Sequence, residues 1–433
     1  VPVEPPHGLA AGAHGKERPG LMYDAIIVGA RIAGSTTALL LAQRGYSVLL
    51  LDRDRFPSST LSTHLFFTDT LSVFERIGVL DRVLAIDAPR LKRLRFPYVD
   101  APFAAVDGRD FALCIRREPL DVILVEAAGS HPGIELHTGA RVTGLLREGE
   151  RVTGVRYQEA GQEREARARF VIGADGRHSL VAREVGATAY EDFPPMFAWY
   201  YGYFRGVPLD DPPSAFAVRG TYPEIGAEYA ASFIFPCDDG LTLVGFGVQA
   251  SAFDAFRRNH REHFFGGLAR IPEAMERIGD SQLEGAIIGT GDLPNFLRVP
   301  VGPGWALVGD AGCHKDPHTV QGMGDAVRSA QLLVESLDRW WQGEIDEQTA
   351  LAEYHARRDA DVLPMFEFTT GQLEARFTEE EWKEFGRRTW EDPALARARV
   401  AAMAHAIPPA EVYSEEAIRR LLEGGGIGAS DPN

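Results

Sequence analysis

Between Tyr23 and Asp52 the apolar positions follow two different patterns. "DAIIVGA" is a short unbroken apolar run, as expected of a strand buried on both faces of a parallel sheet. "GSTTALLLAQRG" has helical character and stops at Gly45, which suits a helix end, and "YSVLLLDR" is a second buried strand. The pattern predicts strand, tight turn, helix, strand. Further helices are predicted over "TDTLSVFERIGVLDRVLA" and "EPLDVILVEAAGS". The stretch "IELHTGARVTGLLREGERVTGVRYQEAGQEREARARFVIGADG" alternates and is punctuated by glycines, as strands and hairpins are. It ends in another buried strand and glycine turn, "ARFVIGADG".

From Phe193 to Gly285 the texture changes. "FAWYYGYFRGV" and "EYAASFIFPCDDGLTLVGFGVQ" are aromatic and strand-like, separated by loops of Pro, Asp and Gly, and predict a second unit built on an antiparallel sheet. "GWALVGDAG" restores the first idiom and leads into a helix over "QGMGDAVRSAQLLVESLDRWW". After Gly343 the chain reads as mainly helical, and Thr378 with Glu381 forms a capping box. The Pro-, Gly- and Ala-rich start and the tail "EGGGIGASDPN" lack periodicity.

The expected fold is therefore α/β: a Rossmann-like nucleotide-binding domain with an inserted antiparallel-sheet domain and C-terminal helices. The boundaries read as a leader over 1–21, the nucleotide-binding domain over 22–90, 108–186 and 286–343, the inserted domain over 91–107 and 187–285, and the helical region over 344–433.

Composition narrows the function. The 433 residues are 45% hydrophobic and 25% charged, a profile of globular domains, and the net charge of -17 argues against nucleic acid as a partner. Cys114, Cys237 and Cys313 are odd in number with no close pairing, so neither a disulfide framework nor a metal site is expected, and a reducing, cytoplasmic setting fits. No stretch approaches the ~20 apolar residues of a membrane span, and residues 1–21 lack a secretory pattern. Four lysines against 41 arginines suggest a GC-rich bacterial genome and draw attention to any lysine inside a motif.

The chemistry begins at "GARIAG". Gly29 and Gly34 occupy two positions of a Gly-x-Gly-x-x-Gly turn, but Arg31 stands where the second glycine normally admits a pyrophosphate. The context is otherwise intact. A strand precedes the turn, a helix start offers free amides to an anion, and Asp52, followed by Arg53, ends the next strand where a ribose would be bound. Two more strand-ending turns, Asp175-Gly176 and Gly309-Asp310, converge with the first if their strands are neighbours.

Together these segments resemble the flavoprotein monooxygenases of the para-hydroxybenzoate hydroxylase type over most of residues 23–345. The resemblance implies FAD, its ADP half on the first turn, with Asp175 supporting the pyrophosphate and the passage of NADPH or NADH. It implies that Asp310 bonds the ribityl chain, with Arg117 alongside, and that Gly322, Met323 and Gly324 open a helix facing the flavin N1/O2 edge. Pro317 matches a proline beside the isoalloxazine. Within the family, "GAR-x-AGS" with "HKDP" marks a subgroup. Arg31 is expected to lay its guanidinium across the pyrophosphate. The segment after Asp52 departs from the family: it lacks an arginine common there and offers His64, either a flavin-side proton shuttle or a packed histidine. Lys315 either binds an acidic substrate or reduced flavin, or pairs with Asp316 or another carboxylate. Trp199, Tyr201 and Phe233 are expected either to wall a substrate pocket or to pack as core.

The activity implied is NAD(P)H-driven transfer of one oxygen of O2, by way of a flavin hydroperoxide, to an aromatic or other electron-rich small molecule. The alternatives are a geranylgeranyl-reductase-like reduction of double bonds and a non-catalytic FAD-binding protein. A halogenase is disfavoured because W-x-W-x-I-P is absent. The C-terminal helices are expected either to cap the pocket or to form a homodimer.

Overall fold

The apolar runs of the sequence become a parallel sheet. In the structure, a computed structural model that describes residues 22–371 and 376–427, Met22–Val28 lies between Val48–Asp52 and Gln162–Gly173. Ile134–Thr138 and Trp305–Leu307 extend the parallel set on either side. The expected leader and the last six residues of the tail, 428–433, lie outside the described residues.

The strands lack alternation because both faces are covered. Ala25, Ile27, Leu50 and Ile172 pack against the helices Ile32–Ala42, Arg117–Ser130 and Gly322–Trp341. Ile26, Val28, Leu49 and Val171 pack against the hairpin Ala140–Glu148 and Arg151–Glu159 and the helix Leu180–Val185. The fold is thus a mixed α/β, Rossmann-like architecture with C-terminal helices.

A second sheet of seven strands runs in the order Gln282–Thr290, Phe197–Arg205, Leu241–Gln249, Ala227–Pro236, Ser214–Tyr222, Arg93–Phe96, Val99–Pro102. All its pairings are antiparallel except that of Arg93–Phe96 with Ser214–Tyr222. Three short helices, Phe253–Arg258, His260–Leu268 and Pro272–Ile278, cover one face; the sequence reading did not foresee them. The other face meets the C-terminal helices through Val400, Met403 and Tyr413.

Two local expectations change. The predicted helix over 68–85 is two helices, Thr68–Arg76 and Leu80–Leu84, because Gly78 adopts φ +77 between them. The boundary expected at 285 falls inside the strand Gln282–Thr290, which stays paired to Phe197–Arg205 up to Thr290. The capping box forms as read, with Thr378 Oγ1 accepting from Glu381 N and Glu381 Oε2 accepting from Thr378 N. Among the described residues no helix is long and apolar enough to cross a membrane.

Candidate functional site

Parallel register places the separate turns side by side. Val28 pairs with Leu51 and Gly173, and Gly173 pairs with Leu307. The residues that follow these strands, Asp52, Gly29, Asp175 and Gly309-Asp310, therefore share one carboxyl edge, where open α/β sheets bind ligands.

Both glycines of the first turn are required by close approach. Gly29 has φ +102, and a Cβ there would lie 2.4 Å from Ala174 O. A Cβ on Gly34 would lie 1.7 Å from Gly29 O, so the helix Ile32–Ala42 rests directly on the turn. Asp52 ties the turn to its neighbour strand, accepting from Ala30 N at 2.7 Å and from Asp54 N at 2.8 Å. Burial pushes its carboxyl pKa up, against the lowering effect of those two amides. The side chain of Arg53 is 77% exposed, with Nε 3.9 Å from Asp54 Oδ1.

Arg31 is engaged by side chains of the protein. Its Nη1 donates to Asp121 Oδ2 at 2.6 Å, and Nη2 donates to Asp54 Oδ2 at 3.2 Å and Ser58 Oγ at 3.0 Å. The guanidinium thus bridges the loop after the second strand to the helix Arg117–Ser130. Arg117 donates to the same buried Asp121 from Nε and Nη2, at 3.1 and 2.8 Å. Two arginines share one carboxylate, and Asp121, four residues after Arg117, escaped the sequence reading although that spacing signals a helix pair.

Asp175 is likewise committed. It accepts from Ser179 Oγ at 2.5 Å, Leu180 N at 2.7 Å and Val181 N at 3.2 Å, which fastens the turn to the next helix. Burial raises its pKa, and the hydrogen bonds oppose that. Asp310 differs: it makes no side-chain hydrogen bond or ion pair to another described residue, and its Oδ1 lies 4.0 Å from where a Gly322 Cβ would be. Gly309 has φ +56 and lets this segment pack against Ala33. The helix Gly322–Trp341 has no side-chain cap at its start, and neither has Ile32–Ala42. Gly322 and Met323 stand in its first turn, with Met323 buried. At Gly324 an added Cβ would meet Arg328 Nη1 at 2.5 Å.

These features fit an ADP-bearing cofactor. Two uncapped helix starts offer donors to anionic groups, and one unengaged carboxylate faces the same edge as an acceptor for hydroxyls.

His64 is a packed histidine. It is buried, with Nε2 2.7 Å from Tyr203 Oη and Nδ1 enclosed without a partner. Burial, reinforced by Arg117 and Arg116, lowers its pKa to about 3, so it stays neutral at ordinary pH. Tyr201 packs edge-on against it, at 5.6 Å between ring centres.

Lys315 pairs with a carboxylate, but not Asp316. Its Nζ contacts Asp325, whose Oδ1 also accepts from Arg328 at 2.7 Å, and Arg328 reaches Asp69 and Asp361. Burial works against the lysine's charge, yet Asp325 outweighs it and holds the pKa above the ordinary value. Asp316 instead pins an aromatic wall, accepting from Trp199 Nε1 at 3.0 Å and Phe197 N at 3.2 Å. The "HKDP" motif thus joins the loop before Gly322 to the second sheet.

A cavity of ≈160 Å³ lies between that sheet, the segment Pro317–Val320 and the C-terminal helices. Trp199 and Phe233 line it, with Phe368, Trp382, Arg399 and Met403 from the helices; Tyr201 does not. The helices thus cover the pocket. Sequence reasoning missed Arg399, and no local signal pointed to it. It also did not foresee that Cys114 and Cys237, 123 positions apart, bring their Sγ atoms within 2.9 Å of each other.

The fold, with its turns at the carboxyl edge of the parallel sheet, is of the Rossmann-like class. Residues 22–218 match the family model described as FAD binding domain. The chain is 25% identical over 340 residues to a tryptophan 2-halogenase of Chondromyces crocatus, a match covering 76% of this chain and 63% of that protein. It is 26% identical over 385 residues to a kynurenine 3-monooxygenase of Salinispora arenicola, covering 81% and 79%. It is 27% identical over 320 residues to a digeranylgeranylglycerophospholipid reductase of Methanococcoides burtonii, covering 70% and 72%. Among solved structures, the flavin-dependent brominase Bmp2 superposes with a TM-score of 0.77 at 19% identity, over 93% of this chain and 99% of that one. That likeness shows a common fold.

Proposed function

We propose that this chain is an FAD-dependent monooxygenase that uses NADPH or NADH to insert one oxygen atom of O2 into an aromatic or similarly electron-rich small molecule. The observation that carries the reading is the aromatic cavity whose wall, Pro317–Val320, leads through Gln321 into the uncapped helix start at Gly322. FAD, when bound, supplies the redox chemistry, taking electrons from the nicotinamide and activating O2. The chain's own residues do the rest. The amides of the first turn hold phosphate, Asp310 accepts from hydroxyls, and the amides of Gly322, Met323 and Gly324 face developing negative charge. The cavity holds the substrate ring away from water. Arg31, Arg117 and Asp121 position the loop 53–64, and Lys315 and Asp316 position the cavity wall.

The relatives named halogenase and reductase carry other chemistries on this framework, so the test must separate them. Purified protein loaded with FAD is mixed anaerobically with NADPH or NADH, and oxygen is then admitted while the flavin spectrum is followed. Reduction by a nicotinamide and oxidation by O2 are expected. Bound flavin that neither coenzyme reduces would refute the self-contained monooxygenase and favour a reductase-dependent enzyme or a binding protein. Flavin that is reduced but reoxidises only with an unsaturated acceptor would favour the double-bond reductase.

A further inference from the structure

The residue that leads into the helix Gly322–Trp341 does not cap it. Gln321 stands at the N-cap position with φ -91 and ψ -20, and its side chain makes no bond to the helix's first turn. That side chain is buried and fully engaged elsewhere. Nε2 donates to Thr319 O and to Met403 O, each at 3.1 Å, and Oε1 faces His405 Nε2 at 3.2 Å. Two carbonyls can only accept, so the orientation of the amide is fixed and His405 must donate from Nε2. Burial, reinforced by Arg328, holds the His405 pKa well below its ordinary value, so the ring is neutral and its one N–H goes to Gln321.

Met403 and His405 belong to the cavity's cover. They form the end of the helix Pro393–Met403, which lines the cavity through Arg399 and Met403. That end is a Schellman turn, with Ala406 N donating to Ala401 O at 2.8 Å and His405 N to Ala402 O at 3.1 Å. Such a turn needs one left-handed residue, commonly glycine, and here His405 takes that place with φ 52. A side chain in this region persists where its surroundings over-determine it. They do so here. The ring meets Gln321 on one nitrogen and Asp361 Oδ1, at 3.6 Å, on the other, and the neighbouring Ala404 O accepts from Thr68 Oγ1 at 3.5 Å. Asp361 is itself paired to Arg328 of the helix Gly322–Trp341, at 2.9 Å.

We propose that His405 is a positioning residue that latches the C-terminal cover, through the Gln321 amide, to the start of the helix Gly322–Trp341, so that a cofactor seated on that helix start holds the cover closed. The inference rests on reading that start as part of the FAD site. Lifting the turn would break the bonds of Gln321 to His405 and Met403 and leave a buried amide unsatisfied, which favours the closed arrangement. The coupling is reciprocal: a ligand that orders the helix start steadies the turn 403–406, and an intact turn strengthens the ligand's site.

The test follows amide hydrogen exchange over residues 403–406 by mass spectrometry in the full-length protein, with and without FAD, and measures FAD affinity by flavin fluorescence. In the wild type FAD is expected to slow that exchange at least about fivefold. His405→Asn tolerates the left-handed backbone but is one carbon too short to reach Gln321. In this variant FAD should change the exchange by less than about twofold, and FAD should bind about fivefold more weakly. His405→Gln places an amide N–H where Nε2 stands and should restore most of both effects. Should His405→Asn fail to fold, Gln321→Ala is expected to behave as described for it. No effect of FAD on exchange in the wild type, the same effect in His405→Asn, or unchanged FAD affinity in that variant would overturn the proposal. Protein that takes up no FAD would overturn the flavin reading, and the apo-proteins then decide the latch: His405→Asn should exchange over 403–406 about tenfold faster than the wild type, with His405→Gln close to it. Equal rates in all three would overturn the latch as well.

Discussion

His64 makes the stability of this protein depend on pH in a way that can be assigned to one side chain. Folded, it is buried against Tyr203 with a pKa of about 3, against 6.5 in the unfolded chain. Below pH 6.5 the unfolded state takes up a proton that the folded state refuses, so stability is full above 6.5 and falls as the pH drops towards 3. At pH 5 the stability lost through this difference in proton uptake amounts to about 2 kcal/mol. The perturbation is His64→Asn. Asparagine does not titrate, and it tolerates the left-handed backbone at this site, where φ is 59. The variant loses packing and the Tyr203 contact at every pH, and that loss cancels when each protein is compared with itself. Urea denaturation of both proteins at pH 7.5 and pH 5.0, followed by tryptophan fluorescence, measures the effect. The wild type should lose about 2 kcal/mol more than the variant between the two pH values. Equal losses would mean that His64 is not held neutral by burial, and the reasoning about its environment would fail.

Three further outcomes follow from the geometry. Gly34→Ala puts a methyl group 1.7 Å from a backbone oxygen that no rotamer can move, so it should destabilise the protein by about 3 kcal/mol and abolish FAD uptake, read by thermal unfolding and flavin retention. Asp310→Ala removes a carboxylate without a hydrogen-bond or ion-pair partner among the described residues, so apo-protein stability should stay within about 0.5 kcal/mol while FAD binding weakens by about tenfold or more; a large stability loss would show Asp310 to be structural. Cys114, Cys237 and Cys313 are all buried free thiols, and burial pushes the Cys313 pKa up to about 12 and that of Cys114 well above its usual value. All three should resist iodoacetamide in the native protein at pH 8 and react once it is unfolded, as mass spectrometry would show.

What the sequence alone determined is local. Unbroken apolar runs mark strands covered on both faces, and residues 25–28 of Met22–Val28 and 170–173 of Gln162–Gly173 meet that condition. A glycine that must approach a neighbouring backbone cannot be disguised, so Gly29 and Gly34 marked the turn even with Arg31 between them. A capping box closes over four residues, so Thr378 and Glu381 declared it in full. Repetition of one idiom, a buried strand ending in a glycine turn, pointed to three segments that the parallel register then set on one edge.

Tertiary structure decided where the charges went. A guanidinium reaches several ångströms and pairs with whichever carboxylate packing brings near, so the pairing of Arg31 with Asp121, 90 positions away, is invisible to any local pattern. The same holds for Lys315, which passes over its neighbour Asp316 for Asp325 because Asp316 is turned to Trp199. Cys114 and Cys237 meet only because the strand Leu113–Cys114 comes to lie against the turn after Ala227–Pro236. Arg399 became notable only when the fold enclosed it among rings with no acid of the described residues paired to it, since what burial costs a charge depends on every element packed around it.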